Sequence, residues 1–169
     1  TRVNEGLSLS ALSLLFAYRK FGPGYGVGPK VLQENKLLID RLRKLTGPKL
    51  RFHSTVVEPV LEKNRSDTEW MEKRLGVSLA EDIARDDATA VRTENDLLRF
   101  SPQALLWLAE QLGPDYVARC RSDMSGYEVA DWMHKLRLQL AGRRDGAAQT
   151  DSNVRQAGND RPDGQSVEE

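Results

Sequence analysis

Cysteine occurs once in these 169 residues, at Cys120, and histidine twice, at His53 and His134. A lone cysteine excludes an internal disulfide, so folding does not depend on an oxidising compartment, and the expected location is the cytoplasm. Two histidines and one cysteine are also too few for an ordinary zinc site. No apolar run reaches the roughly 18 residues that a membrane-spanning helix requires. Leu9–Tyr18 is the nearest approach, and it is short, serine-rich and led by no basic segment. Surplus charge is missing too: 25 Lys and Arg stand against 25 Asp and Glu. A general nucleic-acid binder, which needs a basic excess, is therefore not expected.

The last 27 residues lack more. From Arg143 to Glu169 there is no aromatic residue, Leu, Ile or Met. Such a segment buries too little apolar surface to offset its ordering entropy, and it is expected to be a disordered tail. The chain thus divides into a body, residues 1–142, and a tail, residues 143–169. The tail holds four Arg against six Asp and Glu, which leaves the body 21 basic and 19 acidic residues. The chain begins with Thr1 rather than methionine and enters helix-like sequence at once. It reads as a portion whose N-terminal part is missing.

What is present is helical periodicity. Leu12, Leu15 and Phe16 form an i, i+3, i+4 stripe, with Ser8 or Ser10 placed to cap it. Val31, Asn35, Leu38, Leu42 and Leu45 recur at alternating steps of four and three, predicting an amphipathic helix from Pro29 to Leu45. Ser54 is placed to cap a helix over Thr55–Arg65. Ser66 with Glu69, Ser78 with Glu81 and Ser125 with Glu128 each read as a capping box. The helix that Ser66 starts is expected to bury Trp70, Met71 and Leu75 and to stop at Gly76. Ser101-Pro102 opens another helix, closed by Gly113-Pro114. The last shows Val129, Trp132, Met133, Leu136 and Leu140 on one face and is expected to end near Gly142. The expected fold is all-α, an irregular bundle of about six helices, standing alone or as the helical part of a larger α/β domain. Asp131–Leu136 (DWMHKL) faintly echoes Glu69–Leu75 (EWMEKRL), an echo read as chance.

The stretch Phe21–Lys30, FGPGYGVGPK, invites a phosphate-binding reading and fails it. A P-loop places Lys directly after Gly and a hydroxyl after Lys, whereas Gly28 is followed by Pro29, Lys30 and Val31. The four glycines alternate, so G-x-G-x-x-G is absent as well. Pro23 and Pro29 remove amides that an anion nest would use. The expected role is an interhelical turn, with Lys30 left as an anion-contact candidate at a helix start. Lys49–Ser54 (KLRFHS) is the one strand-like piece. As a strand it would align Lys49, Arg51 and His53 for a sulfate, a phosphate or an acidic sugar, or else form a solvated edge with Leu50 and Phe52 tucked inward. Glu81, Asp82, Asp86 and Asp87 read as ordinary solvated surface, because they match no calcium loop. His134 is expected to be a partly exposed helix residue. No catalytic, cofactor-binding or metal-binding residue is assigned.

Four phrases, RVNEGLS (2–8), GPKVLQENKLLIDRLRKLTGPKLRF (28–52), VVEPVLEKNRSDTEWMEKRLGVSL (56–79) and DLLRFSPQALLWLAEQLG (96–113), carry a resemblance. In this order they resemble the C-terminal region of bacterial sulfotransferase-like proteins, which modify surface polysaccharides and related glycans. The resemblance runs from Arg2 to Leu112, with Gly6 standing where the family pattern has serine. It implies an α/β sulfotransferase domain that binds the sulfuryl donor PAPS through an N-terminal strand-loop-helix and a second segment for the 3′-phosphate. This chain has neither, so the resemblance implies a helical extension, inactive alone, with a missing N-terminal catalytic domain as partner and a glycan as acceptor. The alternative is a self-contained helical interaction module, using the stripes of Pro29–Leu45 and Ser125–Leu140 for a partner or a second copy.

Overall fold

The computed structural model describes residues 6–24, 26, 28–79 and 89–157, the stretch 143–157 through the backbone of its helix only. Seven α-helices follow one another among these residues: α1 Leu9–Phe21, α2 Pro29–Leu42, α3 Ser54–Lys63, α4 Arg65–Leu75, α5 Pro102–Leu112, α6 Pro114–Arg119 and α7 Gly126–Ala157. A single 3-10 turn, Glu94–Leu98, precedes α5. The fold is all-α, as the periodicity predicts. Among the described residues only two isolated bridges stand in for sheet, Ser8 with Lys49 and Phe52 with Val91.

The core forms where the predicted stripes meet. From α1 come Ala11, Leu14, Ala17 and Tyr18, and from α2 come Leu38 and Leu42. Ala104, Leu105 and Leu108 enter from α5, and Val129, Met133 and Leu136 from α7. Alanines at positions 11 and 17, both fully buried, let α1 lie close against its neighbours, chiefly α7. The start signals hold at three places. Ser8 Oγ accepts from the Ala11 amide, and Ser101 Oγ from that of Ala104, each at 3.2 Å. At α7, Ser125 Oγ accepts from the Glu128 amide while Glu128 accepts from the Ser125 amide at 2.9 Å, a complete capping box.

The glycine stretch is the turn that its prolines imply. Gly22 closes α1 through a bond from its amide to the Tyr18 carbonyl, and a Cβ there would lie 2.4 Å from that carbonyl oxygen. Gly28 has φ +128°, and Pro29 then supplies the first residue of α2. α2 itself ends at Leu42, three residues before the expected Leu45, although Leu45 is still buried.

Three expectations are corrected. α3 is capped not by Ser54 but by His53, whose ring accepts from the Thr55 amide at 3.2 Å, so Ser54 becomes its first residue. α4 starts at Arg65 behind Asn64, which places Ser66 and Glu69 inside the helix rather than in a capping box. Trp70, Met71 and Leu75, expected to be buried, are 61%, 44% and 56% exposed. The reason is positional: α4 lies against α3, and no residue of α4 is buried. Gly76 does end it, in the left-handed conformation. The backbone of α7 continues beyond Gly142 to Ala157, but its core contribution stops at Leu140, where the apolar face ends. The rest of the expected tail, 158–169, lies outside the described residues, as does Glu81 of the second capping box.

Two measurements check this division. Met133→Ala, which empties a fully buried site, is expected to destabilise the chain by about 2–5 kcal/mol, and Trp70→Ser by under about 0.5 kcal/mol, in urea unfolding. Hydrogen bonds from Ser125 and the adjacent Arg121 hold the Glu128 carboxyl below its ordinary value. Its contribution is therefore complete above about pH 4.5 and lost as pH falls through the lowered value. The melting temperature is expected to drop on acidification below about pH 4.5, and less steeply in Glu128→Gln.

Candidate functional site

The four basic residues singled out in the sequence do not converge. Lys30 stands exposed in the first turn of α2. Lys49 donates to the Gly6 carbonyl and lines a recess of about 310 Å³ with Ser8, Arg43, Leu45, Thr46 and Gly47. Arg51 is exposed and His53 is buried, 7% accessible. The His53 ring is also fully engaged: Nδ1 lies 2.9 Å from Thr55 Oγ1, and Nε2 lies 3.1 Å from the Arg92 guanidinium. Its amide donates to the Val91 carbonyl at 3.0 Å, and the Val91 amide donates to the Arg51 carbonyl at 2.9 Å. His53 thus staples residues 91–92 to the start of α3. Phe52, expected to be tucked inward, is 48% exposed, because the segment turns His53 inward to serve as the cap.

A different polar group sits at the centre of the bundle. Arg137 of α7, 6% accessible, donates to the Tyr18 hydroxyl at 3.2 Å and to Glu34 Oε2 at 2.8 Å. The Tyr18 hydroxyl in turn lies 3.1 Å from Nδ1 of half-buried His134. Burial disfavours the guanidinium charge, but the bonds to Tyr18 and Glu34 more than offset it and hold Arg137 above its ordinary value. Glu34, Tyr18, Arg137 and His134 therefore form a clamp joining α2, α1 and α7. His134 is half-buried, as expected, although its bond to Tyr18 was not foreseen. Arg137 was missed altogether. The available signal was its position, one residue after Leu136 and four after Met133, on the edge of a buried stripe.

A second missed feature adjoins the clamp in sequence. Between α1 and α2 lies a cleft of about 380 Å³, lined by Leu15, Arg19, Asn35, Leu38 and Ile39. Asn35 occupies an inward position of the α2 stripe where an apolar residue is the rule. Its Oδ1 is closed to solvent and has no hydrogen-bond partner. Asp96, also unassigned, accepts from the amides of Arg92 and Thr93, each at 2.9 Å, and shapes the 3-10 turn. The signal for it was Thr93-x-x-Asp96, a capping-box pattern. The acidic positions 81, 82, 86 and 87 lie outside the described residues, and no His, Cys, Asp and Glu cluster suited to a metal occurs among those described. Cys120 is a half-buried free thiol at the end of α6, packed against the core.

Comparison with known proteins finds no matching family model, no matching curated protein and no matching solved structure.

The clamp makes an unequal prediction for single and double replacements. Glu34→Gln leaves the buried guanidinium without its counter-charge and is expected to cost about 3–5 kcal/mol. The pair Glu34→Leu with Arg137→Met, which removes both charges, is expected to lie within about 1–2 kcal/mol of the parent. Urea midpoints of the three chains check this.

Proposed function

We propose that the chain is the helical C-terminal portion of a bacterial carbohydrate sulfotransferase-like protein, docking through α3 and α4 onto the domain that binds PAPS and performs the chemistry. One coincidence carries this reading. The phrase Val56–Leu79, part of the resemblance to that family, spans α3 and α4, and here Val60, Trp70, Met71, Leu75 and Val77 stand exposed together in sequence. Covering such residues with a protein surface is favourable by roughly 25 cal/mol for each Å² removed from water. In this reading the chain contributes shape and stability beside the glycan acceptor and transfers no sulfuryl group itself. Transfer requires groups converging on the phosphates of the donor, and Lys30, Lys49, Arg51 and His53 point to different surroundings.

A second reading, a self-contained helical interaction module, is favoured by one observation. The core built from α1, α2, α5 and α7 closes with neither α3 nor α4. The stripes of α2 and α7 are consumed by that core, so α3 and α4 become the partner face in this reading as well.

Hydrogen exchange separates the two. In a polypeptide that carries a sulfotransferase-like domain ahead of this chain, exchange over residues 65–75 is expected to slow at least tenfold relative to the chain alone. Equal exchange in both sinks the docking. Slowing that rises with concentration in the chain alone, with a discrete dimer by light scattering, establishes the module instead.

A further inference from the structure

We infer that the recess between the start of α1 and the connection from α2 to α3 binds a small phosphomonoester with a hydroxylated body, such as a sugar phosphate. Arg43 and Lys49 hold the phosphate. This inference is independent of the docking reading, which concerns α3 and α4.

Its first support is charge. Among the side chains lining this recess of about 310 Å³, Arg43 and Lys49 are cationic and none is acidic. Both have partners of their own, and neither partner cancels the charge. Lys49 donates to the Gly6 carbonyl, a neutral group, and keeps two further N–H donors. Arg43 gives Nη1 to Asp40, one turn back, at 2.7 Å, in a pair that is about half exposed on both sides. An exposed pair of this kind is weak. Nε and Nη2, the edge of the guanidinium that grips two oxyanion oxygens side by side, take no part in that bond. The chain around the recess adds no counter-charge, since no Asp or Glu occurs from Arg41 to Val57. Two cations lining one recess repel each other, and a bound dianion removes that repulsion.

The second support is that the recess is already built. Ser8 Oγ donates to the Leu45 carbonyl and the Leu9 amide to the Pro48 carbonyl, each at 2.7 Å. With the bridge between Ser8 and Lys49, these bonds fix residues 45–49 across the start of α1, so a ligand has no loop to order. Ser8, the cap of α1, is part of the wall, and the partial positive charge of that helix end adds to the two side chains.

Composition and size then set the rest of the ligand. Leu45 is the one apolar side chain of the wall, whereas Thr46 brings an exposed hydroxyl, so a polyol fits here better than a hydrocarbon. The volume lies at the small end of the roughly 300–1,000 Å³ range of ligand pockets. Two cations match a phosphomonoester, which carries about two charges near pH 7, better than a sulfate ester, which carries one.

The test is a titration of the full chain, followed by backbone amide NMR. Glucose 6-phosphate is expected to shift the amides of Ser8, Arg43, Thr46, Gly47 and Lys49 with a dissociation constant on the order of a millimolar. Glucose, which lacks the anion, is expected to bind at least about tenfold more weakly. Inorganic phosphate, without the body, and glucose 6-sulfate, with one charge, are each expected to bind at least about threefold more weakly. Lys49→Gln keeps a donor for the Gly6 carbonyl but removes the charge, and it should weaken glucose 6-phosphate at least about tenfold, as should Arg43→Gln. Lys30→Gln, at the other end of α2, makes the same change in net charge and should leave the affinity unchanged. The inference is overturned if about 20 mM glucose 6-phosphate, roughly twentyfold above the expected constant, moves none of these amides. It is overturned equally if either recess variant binds as well as the parent, or if Lys30→Gln weakens binding as much as they do. Glucose, inorganic phosphate or glucose 6-sulfate matching glucose 6-phosphate also overturns it.

Discussion

A guanidinium buried among apolar side chains has to be answered by its surroundings, and Arg137 organises the molecule for that reason. Its partners come from two other helices, Glu34 of α2 and Tyr18 of α1. Removing a charge from water is expensive, and the cost is recovered only when α1, α2 and α7 stand in one relative position. Apolar packing tolerates small slips of one helix along another, whereas these bonds, 2.8 and 3.2 Å long, do not. The leucines supply the driving force for collapse, and the clamp selects which collapsed arrangement persists. Met133 and Leu136, on either side of the same turn of α7, are then carried to the positions where they are sealed.

The same principle explains why the molecule has two unequal parts. Around the clamp, α1, α2, α5 and α7 close a core with large side chains fully shielded. α3 and α4 stand outside it, tied back by the His53 cap and the short pairing of residues 51–53 with Val91. A helix pair held by a cap and a bridge, and not by its own buried face, leaves its apolar residues open to solvent. The two Trp-Met pairs make the contrast plain. Trp132 and Met133 lie in the core, while Trp70 and Met71, which a faintly similar local sequence surrounds, do not.

Much of this was legible in the sequence because the signals are local. Ser8, Ser101 and the Ser125–Glu128 pair start helices through contacts three residues long, and Gly22, Gly76 and Pro29 punctuate them through their own backbone geometry. The stripes of α2 and α7 were legible because 3.6-residue periodicity brings their apolar members to one side. In most places where reading failed, a nonlocal partner was involved. His53 displaced Ser54 as the start of α3 because its bonds to Val91 and Arg92 fix the path of the preceding backbone, whereas Asn64 displaced Ser66 because α4 follows α3 after a single residue. Arg137 and Asn35 escaped notice because a polar residue beside a stripe looks the same whether it faces water or the interior.

The sequence alone therefore determined that the chain is helical, where most helices begin and end, and that the glycine stretch is a turn and not a phosphate cradle. Each of these follows from backbone sterics and from hydrogen bonds within one or two turns. Only the tertiary structure decided which apolar faces are covered. It also decided that the basic residues Lys30, Lys49, Arg51 and His53 stay apart, while Tyr18, Glu34, His134 and Arg137 come together across more than a hundred positions. Burial is a property of what lies opposite a side chain, and no local pattern contains that.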